Sequence, residues 1–272
     1  MCDTLIALFD VGSNSLKADL FCGSSVIQSR RQVTGLGLGL VERGALDPEG
    51  KQAVFDAAAD WIEGWRKEGP CRVLFAGTEA VRRASDGKSF LEALAQRFEA
   101  EWLILADGDE GRLGFEAWAL EQGEEWMMAD LGGRSCEFTT KRDTFSLKRG
   151  VLTAREALGE KSFEALCDEL EALLPSWQGP FVLAGGAGTV MAALMDCSLF
   201  QEGEIFAFKA RMEQLTSLQR NALQAMPQGW EPNLFGALAW LCACARRYGP
   251  FSSTELGWRH GLALRLQKKD AL

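Results

Sequence analysis

One short pattern occurs twice in this chain and restricts the possible folds more than any other feature. Asp10-Val-Gly-Ser-Asn-Ser15 follows one short apolar segment, and Asp130-Leu-Gly-Gly-Arg-Ser135 follows another. Each copy is followed by residues of alternating polarity, a turn and a further strand-like segment. A repeat of this kind predicts two similar α/β domains. A single α/β domain is the alternative.

The repeated pattern also points to chemistry. A buried aspartate at a strand end is unfavourable unless it is paired or binds a cation. The glycine two positions later permits a tight turn, and small neighbours let backbone N–H groups approach an anion. An aspartate beside such amides is useful when Mg²⁺ bridges it to a phosphate. A plain β-turn is the other explanation, which two copies in equivalent positions weaken.

A third glycine cluster, Gly185-Gly-Ala-Gly-Thr189, lies between a predicted strand and a predicted helix. Backbone donors and the positive end of the helix dipole then meet at one point, which suits a phosphate or a nucleotide base. A tight connection between strand and helix explains the cluster equally well.

Further along, one helix is expected from Ala207 to Ala225.

Two charged segments follow predicted strands in the first half. Thr78-Glu-Ala-Val-Arg-Arg-Ala84 offers Arg82 and Arg83, and arginine is well suited to phosphate. A solvated helix face is the ordinary explanation for such a pair. Asp107-Gly-Asp-Glu110 gathers three carboxylates within four positions, and a carboxylate in such a cluster suits a general base. Simple capping of a helix start explains the same carboxylates.

Composition excludes several function classes. The net charge of -9 argues against a nucleic-acid-binding protein. His260 is the only histidine, so a hydrolase here more plausibly uses a carboxylate base; we interpret His260 as a packing or surface residue. The longest apolar run, 234–245, is too short to span a bilayer. Scattered cysteines and no export signal at the start lead us to expect a reduced, cytoplasmic protein.

These segments, in this order, resemble the Ppx/GppA (exopolyphosphatase and guanosine pentaphosphatase) family within the actin/sugar-kinase superfamily. The first phosphate motif is similar to residues 9–15, and the second to residues 130–137. The segment 78–84 is similar to T-S-A-[LV]-R-[ED]-A, and 107–113 to G-x-E-E-A-R-L. The superfamily's third glycine motif is similar to 185–189, and the closing G-[LM]-R-[ED]-G-L-L to 257–263.

The resemblance implies an α/β protein of two ribonuclease-H-like (actin-like ATPase) domains with the active site in the interdomain cleft. We place the domains at 1–121, joined by the C-terminal helix 257–272, and at 122–256. The implied reaction is Mg²⁺-dependent hydrolysis of a terminal phosphoanhydride, in inorganic polyphosphate or guanosine pentaphosphate. Mn²⁺ is an alternative metal, and a homodimer is expected from the family.

The resemblance also assigns roles to individual residues. Glu110 activates water, Arg82 contacts phosphate and Asp130 is linked to the metal, so these three are the predicted catalytic residues. The predicted metal ligands are Asp10, Asp130 and Glu110. The predicted phosphate-binding residues are Asp10, Gly12, Ser13, Asn14, Ser15, Gly132, Gly133, Arg134, Ser135, Gly186, Gly188 and Thr189.

The chain departs from the family pattern at several of these positions. Arg134 replaces a glycine and Cys136 replaces a hydroxyl residue in the second motif. Because side chains alternate along a strand, we expect Cys136 to point into the domain core when Ser135 faces the turn. In Gly35-Leu-Gly-Leu-Gly-Leu40, the segment that resembles R-L-G-E-G-[LV], Gly35 replaces the arginine and Leu38 the glutamate. Two alternatives therefore stay open: a non-catalytic sensor of polyphosphate or of a guanosine alarmone, and a kinase-like phosphotransferase.

Overall fold

The computed structural model describes residues 5–106 and 108–270, with side chains as far as residue 267. The contacts divide the chain into two compact units. Unit 1 runs to Glu110 and includes the chain from Arg259 onward, and unit 2 is Gly111–Trp258. None of the described helices is long and apolar enough to cross a membrane.

Unit 1 contains a five-stranded mixed sheet of order β3-β2-β1-β4-β5. β1, β2 and β3 are antiparallel neighbours, whereas β4 and β5 run parallel to β1. Its strands are β1 (Leu5–Val11), β2 (Ser15–Cys22), β3 (Ser25–Val33), β4 (Cys71–Gly77) and β5 (Glu101–Ile104). Its helices are α1 (Leu40–Arg43), α2 (Pro48–Arg66), α3 (Glu79–Arg83) and α4 (Gly87–Phe98).

The helix α2 shows how sequence determines an element here. Asp47 is its N-cap and accepts a hydrogen bond from the Gly50 N–H, and Pro48 occupies the first helical position. Apolar residues spaced three and four apart put Val54 and Trp61 into the unit 1 core beside Phe9 of β1. The Phe9 ring stacks on Trp61 with centroids 6.1 Å apart. Packing in this core therefore fixes the position of β1. The turn that follows Asp10 lies at the end of this strand.

Unit 2 repeats the sheet of unit 1 in the order β8-β7-β6-β9-β10. Its strands are β6 (Met127–Leu131), β7 (Cys136–Thr139), β8 (Thr144–Leu147), β9 (Phe181–Ala184) and β10 (Ser252–Ser253). The two sheets agree in register as well as in order: Asp10 pairs with Lys17 and Ala76, and Asp130 with Glu137 and Ala184. The predicted fold class, two ribonuclease-H-like domains, is confirmed.

The remaining helices complete the chain. α5 (Asp109–Gln122) begins in unit 1 and continues in unit 2, and α12 (Trp258–Asp270) contributes most of its length to unit 1. The helices within unit 2 are α6 (Val151–Ala157), α7 (Phe163–Leu173), α8 (Gly186–Met195), α9 (Glu202–Glu213), α10 (Ser217–Asn221) and α11 (Leu234–Tyr248). α11 lies at the centre of the unit 2 core, with 11 of its residues buried from Leu234 to Ala245.

Two boundaries differ from those expected from the sequence. The division after Glu110 falls at the start of α5, whereas we expected it after residue 121, at the helix's other end. Gly111 and Gly114 pack closely on unit 2 residues such as Thr139 and Met128, which assigns the helix to that unit. The helix expected over 207–225 is wrong as a single element, because the chain leaves α9 and starts α10 with a capping box at Thr216.

Candidate active site

Three predicted segments of unit 1 come together at one edge of its sheet. β1, β4 and β5 are parallel neighbours, so their carboxyl ends share an edge. That edge is where ligands bind in open α/β sheets. The Asp10 turn follows β1, the Thr78–Arg82 segment follows β4, and the segment leading to Glu110 follows β5. We call this edge the first half-site.

The turn after β1 directs its backbone N–H groups toward one side. The Ser13 carbonyl accepts a hydrogen bond from the Gly37 N–H at 2.7 Å, and the Asn14 carbonyl accepts from Thr34 at 3.0 Å. In a planar trans peptide the N–H group points opposite to the carbonyl. The N–H groups of Asn14 and Ser15 therefore point away from the segment that holds the turn, as a phosphate-binding turn requires.

Asp10 is a buried carboxylate with cationic neighbours. Only 7% of the residue is exposed. Its Oδ2 lies 3.8 Å from Lys17 Nζ and 3.5 Å from Arg259 Nη1. Burial, the largest influence, raises the pKa of Asp10, although both cations oppose the change. Its Oδ1 faces Gly12, where an added Cβ would lie 3.6 Å from that oxygen and 3.8 Å from Thr78 Oγ1.

Arg259 is a site residue that sequence reasoning missed. It enters from α12 and bridges Asp10 to Asp19, whose carboxylate also accepts from the Ser29 hydroxyl at 2.7 Å. Arg259 belongs to the closing segment 257–263, which resembles the family motif, but no role was predicted for this arginine. His260 beside it packs edge-on against Phe21 with centroids 5.4 Å apart, which confirms the interpretation of His260 as a packing residue.

The adjacent arginines Arg82 and Arg83 point in different directions. Arg82 is half-buried and donates from Nη1 to the Leu105 carbonyl, which lies just after β5. Arg83 is exposed and forms an ion pair with Glu79 at 3.1 Å. The solvated-face explanation therefore applies to Arg83, whereas Arg82 lies at the first half-site.

The acidic cluster before α5 divides into residues with different surroundings. Asp107 lies outside the described residues. The Asp109 carboxylate accepts from the Ala106 N–H at 2.9 Å, so the capping explanation applies to it. Glu110 is half-buried in the first turn of α5. Glu110 is thus the residue of this cluster that the helix start places in unit 1 as the last residue before the unit boundary.

The second acidic turn, after β6, has the same construction as the first. The Gly132 and Gly133 carbonyls accept from the N–H groups of Val151 and Leu152 at 3.1 and 2.7 Å. The N–H groups of Gly133 and Arg134 consequently point away from α6. We call this turn, with Asp130, the second half-site. An added Cβ at Gly12 would lie 3.1 Å from the Ser15 carbonyl oxygen, and one at Gly132 would lie 3.1 Å from the Ser135 carbonyl oxygen. The two turns therefore have closely similar backbone geometry.

Gly150 lets α6 approach the second turn closely, which leads to a prediction. A Cβ at Gly150 would lie 2.5 Å from the Gly133 carbonyl carbon, although its φ of -144° suits any residue. We expect Gly150→Ala to displace the turn and lower the free energy of unfolding by about 1–3 kcal/mol. Gly203→Ala in α9, where a Cβ meets open space, is the matched control. Thermal unfolding measures both, and equal midpoints would contradict this packing role.

The two unusual residues of the second motif have structural explanations. The Arg134 side chain is exposed and lies 3.4 Å from Glu156 of α6, an ion pair that contributes little at such exposure. The Arg134 side chain thus contacts α6, whereas its backbone N–H points away from that helix. Cys136 is fully buried, and burial raises the pKa of its thiol well above the usual value. The expectation that Cys136 points into the core is confirmed.

The third glycine cluster lies next to Asp130. Gly185 has a φ of +96°, and an added Cβ would lie 2.9 Å from Asp130 Oδ1 and 2.8 Å from the Leu131 carbonyl oxygen. Gly188 packs against Ser253 and Leu183, so close packing explains this glycine. Gly186 begins α8 and faces open space, and Thr189 is half-buried. Within this cluster, the helix start at Gly186 is therefore the part able to approach a phosphate.

The donor set determines what kind of metal site is possible. Within the described residues no cluster of three or more His, Cys, Asp or Glu side chains is arranged to hold a metal. Asp10 Oδ1 and Thr78 Oγ1 near Gly12, and Asp130 Oδ1 near Gly185, are all oxygen donors. Mg²⁺ commonly binds one or two carboxylates together with substrate phosphates, so the donors of either half-site, taken separately, suit a metal that arrives with its substrate.

Two ribonuclease-H-like units, each with an acidic turn after its first strand, define the actin-like class of proteins. The sequence profile of the Ppx/GppA phosphatase family matches residues 17–202, which is more than half of the chain. The protein therefore belongs to the Ppx/GppA phosphatase family. No curated protein gave a significant match.

Solved structures of this family share the fold. The Aquifex aeolicus Ppx/GppA phosphatase, type II variant, has 20% identity and a TM-score of 0.80 over 96% of this chain and 99% of its own. A structure of the Aquifex aeolicus family member has 19% identity and a TM-score of 0.82, covering 99% of both chains. An exopolyphosphatase from Cytophaga hutchinsonii has 14% identity and a TM-score of 0.73 over 97% of this chain and 98% of its own. At these identities the likeness establishes the fold.

Proposed function

We propose that this protein is a metal-dependent phosphoanhydride hydrolase that releases the terminal phosphate of inorganic polyphosphate or of guanosine pentaphosphate. The observation that carries the proposal is the first half-site: a turn with directed amides, beside Asp10, Arg82 and Glu110, in a member of a phosphatase family. Hydrolysis of a phosphoanhydride needs positioned phosphates, neutralised charge and a directed water.

Phosphate binding is assigned to the two turns. The Ser13 and Gly133 carbonyls accept hydrogen bonds, and these bonds hold the N–H groups of Asn14 and Arg134, which belong to the same peptide units, in a fixed direction. Both N–H groups are therefore oriented before the substrate binds. The bond from Arg82 to the Leu105 carbonyl fixes the direction of the guanidinium, and arginine has five N–H donors. We assign to Arg82 a contact with the terminal phosphate, where its charge offsets that of the transition state.

Glu110 is assigned as the general base. Its carboxylate accepts a proton from a water molecule while the water oxygen bonds to the terminal phosphorus. The anhydride P–O bond breaks, and the shortened polyphosphate or nucleotide leaves with the bridging oxygen. A base in this role contributes about 10²–10⁴-fold to the rate.

Asp10 and Asp130 are assigned to the metal. Each lies at the end of a first strand, and each has its Oδ1 close to a glycine, Gly12 for Asp10 and Gly185 for Asp130. The bound ion would neutralise phosphate oxygens as negative charge develops on them. Asp10 Oδ2 is already close to Lys17 and Arg259, so Oδ1 is the oxygen we assign as ligand. The role of Glu110 as a third ligand stays a prediction.

A non-catalytic sensor is the second candidate, and one observation favours it. Leu38, where the family pattern has a glutamate, is 65% exposed on the segment that holds the first turn. A sensor binds phosphate compounds with the same turns but without turnover.

Phosphate release with Mg²⁺ tests the proposal. Long-chain polyphosphate, guanosine pentaphosphate and ATP are offered in parallel, and a Glu110→Ala preparation is the control for contaminating phosphatase. We expect release from polyphosphate or guanosine pentaphosphate that stops with excess EDTA and returns with added Mg²⁺. Binding of one compound by calorimetry, with no release from any, would establish the sensor and overturn the hydrolase.

A further inference from the structure

A row of charged side chains crosses the first three strands of unit 1. Asp10 of β1 lies directly opposite Lys17 of β2, and Lys17 lies directly opposite Arg31 of β3. Residues paired in this way share one face of a sheet, and neighbouring strands are about 5 Å apart. Lys17 Nζ lies 3.8 Å from Asp10 Oδ2, so these two side chains do meet on that face. We call Lys17 and Arg31 the basic row.

The basic row lies on the face of the sheet that is turned away from α2. Leu16 and Ala18, the neighbours of Lys17 in β2, are fully buried in the core that contains the apolar residues of α2. Side chains alternate along a strand, so Lys17 belongs to the other face. Arg259 of α12 contacts Asp10 on that same face. The basic row therefore begins beside the carboxylate that we assign to the metal.

The edge strand β3 has two adjacent arginines, which are exposed on opposite faces. Arg31 shares the face of Lys17, whereas Arg30 pairs with Ala18 and belongs to the α2 face. Within the part of the chain that the structure describes, neither arginine has a carboxylate at ion-pair distance. Several other cations of unit 1 do have such partners: Arg43 with Asp47, Lys51 with Asp86, Lys67 with Glu63, Arg72 with Glu101, and Arg83 with Glu79. An uncompensated arginine beside a lysine attracts anions.

A phosphate bound at the first turn lies on the same side of the sheet as the basic row. The segment 34–37 holds this turn, and its Leu36 is fully buried against α2, where an added Cβ at Gly50 would lie 2.6 Å from the Leu36 Cα. The N–H groups of Asn14 and Ser15 point away from this segment and hence away from α2. A phosphate that accepts from them therefore has Lys17, two residues beyond Ser15, on its own side.

We propose that Lys17 and Arg31 bind the phosphates of a polyanionic substrate that lie beyond those seated at the first turn. This inference rests on the proposed function and assigns a further part of the substrate to named residues. Arginine and lysine are the side chains that bind phosphate, and Arg31 at the sheet edge leaves the substrate free to extend past it. Further phosphates of an inorganic chain and the second phosphate group of guanosine pentaphosphate share this chemistry. A substrate with few phosphates gains little from the basic row.

The test compares Arg31→Glu with Arg30→Glu, which changes the net charge equally on the opposite face of the same strand. The Arg31→Glu change also places a carboxylate opposite Lys17 and so compensates that cation. For Arg31→Glu we expect KM with long-chain polyphosphate to rise about tenfold or more, with kcat unchanged because the row does not touch the reacting atoms. Tripolyphosphate should show little change, and Arg30→Glu should affect neither substrate. An equal rise for the two variants, or for the two substrates, would overturn the proposal.

Binding measurements separate this inference from the proposed function. Calorimetry on a Glu110→Gln background, with long-chain polyphosphate and separately with guanosine pentaphosphate, measures affinity whether or not the parent protein hydrolyses either compound. We expect Arg31→Glu to lose about tenfold in affinity, Arg31→Lys to retain most of it, and Arg30→Glu to retain all of it. A loss confined to polyphosphate identifies the ligand of the row as the inorganic chain, and a loss confined to the nucleotide identifies it as the second phosphate group. Unchanged affinity for both compounds would overturn the proposal.

Discussion

The Glu110→Gln variant is expected to release phosphate about 10²–10⁴-fold more slowly than the parent protein, with a similar free energy of unfolding. Glutamine has the size and shape of glutamate but cannot accept the proton of the attacking water. Glu110 is half-buried in the first turn of α5, next to the edge where β1, β4 and β5 end. The loss should appear in kcat rather than in KM, since phosphate binding is assigned to other groups.

Asp109→Asn is the matched control for Glu110→Gln. Asp109 is the adjacent carboxylate, and it accepts from the Ala106 N–H at the start of the same helix. Its replacement should cost at most about 0.5–2 kcal/mol of stability through the weakened cap, with kcat nearly unchanged. Steady-state phosphate release and thermal unfolding of both variants make the comparison. A Glu110→Gln variant within twofold of the parent rate would show that another group is the base.

The Asp10→Asn variant should lose activity without losing stability. Removal of a carboxylate proposed to bind the metal should lower phosphate release by about 10²-fold or more. Burial raises the pKa of Asp10, so the ionised group is unfavourable in the folded protein at pH 7. Asparagine removes that cost, and Arg259 keeps Asp19 as a partner. The thermal midpoint of Asp10→Asn at pH 7 is therefore expected to equal or exceed that of the parent.

The pH dependence of this difference follows from the direction of the pKa shift. A raised pKa means that the folded state binds the proton more tightly than the unfolded chain, so stability from this group rises as pH falls. The parent should therefore approach Asp10→Asn as the pH is lowered from 7 through the Asp10 pKa. Thermal scans at several pH values measure this. A stability gap that widens at lower pH would contradict burial as the dominant influence.

Asp19→Asn is the control that distinguishes Asp10 from an ordinary buried aspartate. Asp19 shares Arg259 with Asp10 and also accepts from Ser29. Its replacement weakens two hydrogen bonds at a residue only 4% exposed, and we expect a loss of about 1–3 kcal/mol. Equal destabilisation by Asp10→Asn and Asp19→Asn would show that Asp10 is held for structure rather than for chemistry.

The repeat of Asp-x-Gly-x-x-Ser correctly predicted two similar sheets, because local residue types determine strands and tight turns. Asp10 and Asp130 occupy equivalent register positions, and the sequence alone indicated that equivalence. It also indicated that Cys136 points inward, since alternation along a strand has a period of two residues.

Only the tertiary structure decided which side chains meet. Arg259 reaches Asp10 across 249 positions, and Arg134 turns to Glu156 on a helix 22 positions later. The Asp109 carboxylate accepts from the Ala106 N–H before α5, and a capping box at Thr216 divides a helix that periodicity predicted as one. These contacts depend on how the helices and strands pack against one another. A sequence pattern predicts the helices and strands themselves but not the contacts between them.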